Sequence, residues 1–346
     1  MTDNKEKRIF SAKMKDANSA FLPSESNQSE PTHVGFVLQK HFSMMAFTAA
    51  VDALITANLV NTQPLFSYET LALDSSPIMS DLGIEISADS IIEEGASPYK
   101  KQPKILIVCG GFRCSTDAHP TLSLLLKEAA KKGVIMGGIW NGAIALAHAG
   151  LLDKQSCAVH PDNHAFMKER FPQVTTSNQV FVNDNNRLSC AGPISALEMM
   201  LYLIGQIHGK AIIRAIREIL SCDQISESSD IRLNQMIDDP CLPEKLRDLM
   251  SLMAANIEEP ISAEELSELV GVSRRQIERL FQHNLETSPS RYYLELRITH
   301  ARRLLLQTND SITNIALASG FVSTSHFSNC YKDYFGVSPT LARENR

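Results

Sequence analysis

The chain has 346 residues, 44% of them hydrophobic, with 33 Lys and Arg against 39 Asp and Glu. That apolar content exceeds what one ordinary core absorbs, so two folded domains are expected and a wholly disordered chain is excluded. No window approaches the roughly 20 apolar residues that cross a bilayer, which excludes a membrane-spanning role; the net charge of −6 disfavours a nucleic-acid binder on average but leaves room for a local basic patch.

Residues 1–31 carry Lys5, Lys7, Arg8, Lys13 and Lys15 with no apolar stretch behind them, and run through Ser24, Ser26 and Ser29 to Pro31. They read as a disordered leader rather than a secretion signal. The cysteines (Cys109, Cys114, Cys157, Cys190, Cys222, Cys241 and Cys330) are odd in number and never spaced C-x-x-C, so neither a disulfide framework nor a metal site fits. No cofactor is indicated, and a reducing cytoplasm is the default location.

From residue 32 to 220, short apolar runs alternate with helical ones. Val34–Leu38 precedes a helix over 44–61 in which Met44, Met45 and Phe47 are expected to face a sheet; Tyr68–Leu73 follows; Lys104–Cys109 leads to a helix over 121–132; Val134–Ile139 leads to a helix over 142–149. Continuous apolar strands separated by helices imply a mostly parallel, doubly wound α/β sheet. Asn183–Asn186 supplies hairpin turn chemistry between two further strands, and a helix from about Ile194 to His208 closes the domain.

Ligands of such sheets gather where the chain leaves strand for helix. Two exits stand out: Cys109-Gly110-Gly111-Phe112, and the tight elbow Ile139-Trp140-Asn141-Gly142-Ala143. Gly110-Gly111, the Gly137-Gly138-Ile-Trp-Asn-Gly-Ala elbow, Ala149-Gly-Leu-Leu-Asp153 and Val159-His160 resemble the class I glutamine amidotransferase-like, PfpI-type superfamily. In its enzymes the elbow carries a cysteine nucleophile followed by a histidine; here that cysteine position is Trp140. An indole cannot attack a carbonyl, so no catalytic residue is assigned.

The same pocket can instead hold a ligand. Gly111, Phe112, Trp140, Asn141, His160 and Asp52 are the candidates. Trp140 offers a π-face to a cation or simply fills a vacated site; His160 is either a ligand contact or an ordinary hydrogen-bonded histidine; Asp52 supplies a carboxylate for an amine or is a solvated helix charge. Cys109 and Cys114 keep two alternatives open, a thiol-dependent hydrolase or deglycase with an appended module, and a redox sensor.

From residue 221 to 243 the periodicity fades into a linker, and 244–346 contains an internal repeat. Leu266-Ser267-Glu-Leu-Val-Gly271-Val272-Ser273 matches Ile315-Ala316-Leu-Ala-Ser-Gly320-Phe321-Val-Ser323. A small residue where two helices cross, a glycine in the turn and a serine capping the next helix make a helix-turn-helix. The exposed face of the first second-helix carries Arg274, Arg275, Gln276, Glu278 and Arg279 after the cap Ser273. The second copy offers Ser323, Thr324, Ser325, His326 and Asn329. Arginine pairs with guanine edges and glutamine with adenine. Residues 273–303 hold seven Arg against three Glu, a basic patch in an acidic chain.

Between the copies, 288–307 reads as a long amphipathic helix that would set the two heads at a fixed distance, with Arg291 and Arg297 available for phosphates or for packing. A separation of roughly 34 Å would place them in successive major grooves of one duplex. Ser273–Phe281, Ser288–Arg297, Ala301–Leu305, Gly320-Phe321, Ser325-His-Phe-Ser328, Phe335-Gly336 and Ser338-Pro339 resemble the AraC/XylS transcriptional regulators, many of which place an arginine where this chain has Asn329. That resemblance implies DNA-facing roles for Arg275, Glu278 and Arg279. An amidotransferase-like domain ahead of such a reader is the arrangement of GlxA-type regulators. His41–Phe47 and Arg291–Arg297 are especially similar to the members that control catabolism of arginine, betaine or carnitine, which implies an activator responding to such an amine; the arrangement implies a homodimer formed through the sheet domain, with double-stranded DNA, the effector and RNA polymerase as partners.

Overall fold

The computed structural model describes residues 30–61, 63–220 and 242–344. The expected leader and linker therefore lie outside the described residues except at Glu30, Pro31, Leu242 and Pro243.

Element order follows the alternating pattern: β1 (Thr32–Leu38), α1 (Met44–Val60), β2 (Phe66–Ala72), the short β3 (Ile78–Met79), β4 (Glu85–Ile86) and β5 (Ser90–Ile91), β6 (Ile105–Cys109), α2 (Pro120–Lys131), β7 (Ile135–Ile139), α3 (Gly142–His148), β8 (Ser156–Ala158), α4 (His164–Arg170), β9 (Thr175–Ser177), β10 (Phe181–Asp184), β11 (Arg187–Cys190) and α5 (Pro193–His208). The main sheet has seven strands in the order β10-β11-β7-β6-β1-β2-β5. Every pairing in it is parallel except the β10–β11 hairpin. β6 is buried throughout, as a central parallel strand covered on both faces must be.

Local chemistry sets the boundaries. The β10–β11 turn is shorter than the expected four residues: Asp184 pairs with Arg187, leaving Asn185 and Asn186 at φ 48° and 61°. Two left-handed residues make the primed turn that matches strand twist, and asparagine tolerates that region best among non-glycine residues. In α1, Met44 and Phe47 are buried as expected, but Met45 is 56% exposed. One residue later on a helix is a turn of 100°, which carries Met45 onto the solvent face with Thr48, Asp52 and Ile55.

After Gly209 comes a further helix, α6 (Lys210–Ile219), which the sequence pattern leaves unassigned. The remaining helices are α7 (Glu244–Ala255), α8 (Ala263–Val270), α9 (Arg274–Leu285), α10 (Pro289–Gln307), α11 (Ile312–Ala318), α12 (Thr324–Phe335) and α13 (Pro339–Glu344). The chain divides into two compact units, one built on the sheet and ending at Gly209, the other on the helices from Lys210 together with Leu59–Gln63.

The helical unit has two small cores that share α10. Tyr292, Tyr293 and Leu296 join the core of α7, α8 and α9, whereas Ile298, Ala301 and Leu305 join that of α11 and α12. At 100° per residue these two sets point in roughly opposite directions. The expected single amphipathic stripe is thus replaced by a change of face at mid-helix, because each half of α10 serves a different helix-turn-helix. Its 19 residues span about 28 Å.

Candidate functional site

In the sheet unit, the elbow keeps the backbone of a nucleophile turn without a nucleophile. Trp140 sits at φ 56°, a strained value for a bulky residue, and its N–H donates to the Cys190 carbonyl at 3.0 Å. The elbow is wedged against β6: a Cβ on Gly142 would lie 2.0 Å from the Val108 carbonyl oxygen, so only glycine lets α3 start there. Gly111 is confined likewise, 2.6 Å separating its notional Cβ from the His41 carbonyl oxygen.

Three rings meet at this point. Trp140 and His160 stack with centroids 5.4 Å apart and planes at 12°, and Phe112 stands edge-on to both at 6.4 and 6.2 Å. The Trp140 indole N–H is buried and has no acceptor among the described residues, a costly state unless something else supplies one. Asn141 is buried and accepts a hydrogen bond from the Asn163 amide at 2.5 Å. Asn163, which sits in a polar stretch that carries no sequence signal of its own, thereby fixes the orientation of Asn141.

Asp52 is not brought to this group. It lies on the exposed stripe of α1, two turns beyond the N-terminal end that contacts the glycine exit through the Ser43 N–H and the Gly110 carbonyl. The helix runs on from that end, so the carboxylate is about 12 Å further along the axis.

The two thiols near the glycine exit are poorly placed for chemistry. Cys109 is fully buried, and burial pushes its thiol well above its ordinary value; Cys114 is pushed up to about 12, burial again being the main cause. At pH 8 both thiols are therefore held almost wholly protonated, and thiolate is the reactive form. Native protein treated with a thiol reagent at pH 8 and mapped by peptide should leave Cys109 and Cys114 unlabelled until it is unfolded. Rapid labelling of either would revive the hydrolase and redox alternatives.

The helical unit presents the other candidate surface. In the first copy Gly271 adopts φ 70° and ψ 37°, ending α8 in the left-handed conformation that glycine reaches without a side-chain penalty. Ser273 caps α9, and the box closes both ways: the Gln276 N–H donates to Ser273 Oγ at 3.3 Å while the Ser273 N–H donates to Gln276 Oε1 at 2.8 Å. Gln276 is therefore engaged in capping, and Arg274 is engaged with Glu264 of α8. Arg275 and Arg279, four apart on the same face, are exposed and make no hydrogen bond or ion pair among the described residues. Glu278 stands exposed beside them.

In the second copy Ser323 caps α12 by accepting from the His326 N–H. Ser323, Ser325, His326 and Asn329 are exposed and Thr324 partly so. His326 is tethered, its ring 5.8 Å from Phe321 and its Nε2 3.3 Å from Cys330 Sγ. Arg297 is spent on structure: its guanidinium donates to the Ser319 and Gly320 carbonyls at 2.9 and 2.6 Å and lies 4.2 Å over the Phe321 ring. It closes the C-terminal end of α11, where carbonyls lack helical partners, instead of reaching a phosphate.

Among the described residues no helix is long and apolar enough to cross a membrane. Comparison with known families matches residues 33–206 to the DJ-1/PfpI family and residues 266–345 to a helix-turn-helix domain. The chain is 40% identical over 324 residues to the HTH-type transcriptional regulator GbdR of Pseudomonas aeruginosa, covering 91% of this chain and 85% of that one. It is 33% identical to the HTH-type transcriptional regulator ArgR of the same species, covering 92% and 94%, and 30% identical to the HTH-type transcriptional regulator GlxA of Rhizobium meliloti, covering 93% and 98%. Among solved structures, an AraC family transcriptional regulator from Pseudomonas putida is 40% identical with a TM-score of 0.51, covering 55% of this chain and all of that one.

Proposed function

The chain belongs to the AraC-type transcriptional regulators in which a DJ-1/PfpI domain precedes the helix-turn-helix pair, and from that premise we propose that this DNA-binding regulator is an activator whose elbow pocket senses a small amine. The observation that carries the pocket reading is Trp140: a strained elbow residue with rings around it and an indole N–H that lacks an acceptor among the described residues. Its π-face suits a quaternary or guanidino cation, and its N–H suits a carboxylate on the same molecule. Gly111, Phe112, Asn141 and His160 complete the pocket in this reading; Asp52 is left to solvent.

The division of labour assigns sensing and dimerisation to 32–220 and DNA reading to 244–346. Ser273, Arg274, Arg275, Gln276, Glu278 and Arg279 face one half-site and Ser323, Thr324, Ser325, His326 and Asn329 the other. The effector shifts the protein between two arrangements that differ in affinity for operator or in contact with RNA polymerase, in the cytoplasm.

Trp140 is the only tryptophan, so its fluorescence reports the pocket alone. A screen of zwitterionic amines should yield one that shifts this emission and raises the melting temperature, by about 2.7 kcal/mol of added stability at a hundredfold excess over Kd. Trp140→Ala should remove the thermal response. Amines that stabilise the Trp140→Ala variant as much as the unaltered chain would contradict the assignment of this pocket.

A further inference from the structure

The two reading heads differ in chemistry. Residues 311–331, which span the second helix-turn-helix as far as the third turn of α12, contain no Asp, Glu, Lys or Arg. Two arginines of α10 pack against this head and both are engaged: Arg297 is tied to the Ser319 and Gly320 carbonyls and Arg302 lies over the Phe335 ring, while His326 is held by Phe321 and Cys330. The first two turns of α12, the end of a recognition helix that meets base edges, thus carry no cation to read the O6 and N7 acceptors of guanine; the exposed Lys332 comes only in the third turn.

It carries something else. The second turn is one residue longer than the first, with Phe321 and Val322 between Gly320 and the cap where the first has Val272 alone. Phe321 is buried in the core, and the extra residue, Val322, is 98% exposed. It stands two residues before the helix whose N-terminal end faces DNA in the reading above, where an apolar side chain can meet a base edge. Val322 lies in the turn just before the cap, whereas Ser325 and Asn329 stand four apart on one face of α12, and Asn329 is exposed with no side-chain hydrogen bond among the described residues.

We propose that this second head reads an A·T-containing half-site, Val322 packing on a thymine 5-methyl group and the Asn329 amide pairing with the N6 and N7 edge of a nearby adenine. The thymine methyl is the one apolar group on the major-groove edge, and asparagine, like glutamine, is a neutral side chain whose donor and acceptor match adenine. The inference rests on the DNA-reading role above and adds the identity of the bases. The first head, with Arg275 and Arg279 free, takes a guanine-bearing half-site by the same logic.

The test is selection of randomised duplexes by the full-length protein, then binding to the recovered site with thymine replaced by deoxyuridine, which removes only the methyl. The expected site pairs a guanine-bearing half with an A·T-containing half. Deoxyuridine at the critical thymine should weaken the unaltered protein about threefold to fivefold, the scale of one buried methyl, and leave Val322→Ala indifferent. Asn329→Ala should lose about tenfold on that half-site alone. Because both side chains are exposed, neither substitution should move the melting temperature, which separates contact from folding. Specific binding with G·C pairs in both halves, or insensitivity of the unaltered protein to deoxyuridine throughout, overturns the proposal while leaving sequence-specific binding intact. No enrichment of any sequence overturns both.

Discussion

Protein carrying Arg275→Ala and Arg279→Ala together should bind a selected operator at least about thirtyfold more weakly than the unaltered chain at the same salt concentration. Each base-reading arginine contributes about 1 to 3 kcal/mol, and 1.4 kcal/mol is a factor of ten. The two side chains lie one turn apart, so their effects need not add, and the lower end of the combined range sets the expectation. Both are exposed and unpaired among the described residues, so helix content and melting temperature should stay unchanged. The loss should be confined to the operator and should relax preference at the guanines of one half-site. An equal loss on every sequence, with a shallower salt dependence, would instead make them phosphate contacts.

The second large effect concerns the joint between the heads. Gly320 adopts φ +75°, and a Cβ there would lie 2.4 Å from the Ile257 carbonyl oxygen and 2.8 Å from Pro260 Cγ, both in the segment joining α7 to α8. Gly320→Ala combines left-handed strain with a clash against backbone and should cost about 3 kcal/mol or more. Gly271 has nearly the same φ, +70°, but nothing within 4 Å of its notional Cβ. Gly271→Ala should therefore cost only the strain, about 1 kcal/mol. Urea midpoints of the two variants distinguish the terms: equal losses would mean that the approach of Ile257 to Gly320 carries no weight.

The sheet and the repeat are legible in the sequence because they depend on patterns it displays directly. Apolar runs such as Ile105–Cys109 suit central strands, and a glycine followed by a capping serine announces a turn into a helix. The elbow is legible for the same reason, since Gly138 and Gly142 flank it. What escapes depends on partners distant along the chain. Arg297 reads equally as a phosphate contact or as packing until α11 is seen to end against it. Gln276, by contrast, is legible locally in both its readings, as a base-facing residue and, three after Ser273, as the partner in the capping box that occupies it. Met45 is misplaced by hydropathy alone, and Asp52 stays open between ligand and solvent, because the burial pattern of α1 is wide and a single residue's face follows from packing. α10 looks amphipathic because both of its halves are; that they are so on opposite sides follows only from having two cores to serve.

This change of face also bears on function. A helix that buries opposite sides in two helix-turn-helix cores fixes one head relative to the other without a flexible joint, which two probes of one duplex require. Hydroxyl-radical footprinting of the full-length protein on its selected site tests this most directly. Two protected segments on one face of the duplex, centred about 10 base pairs apart, are predicted. A single protected segment, or protection that moves with no regard to sequence, would contradict the account.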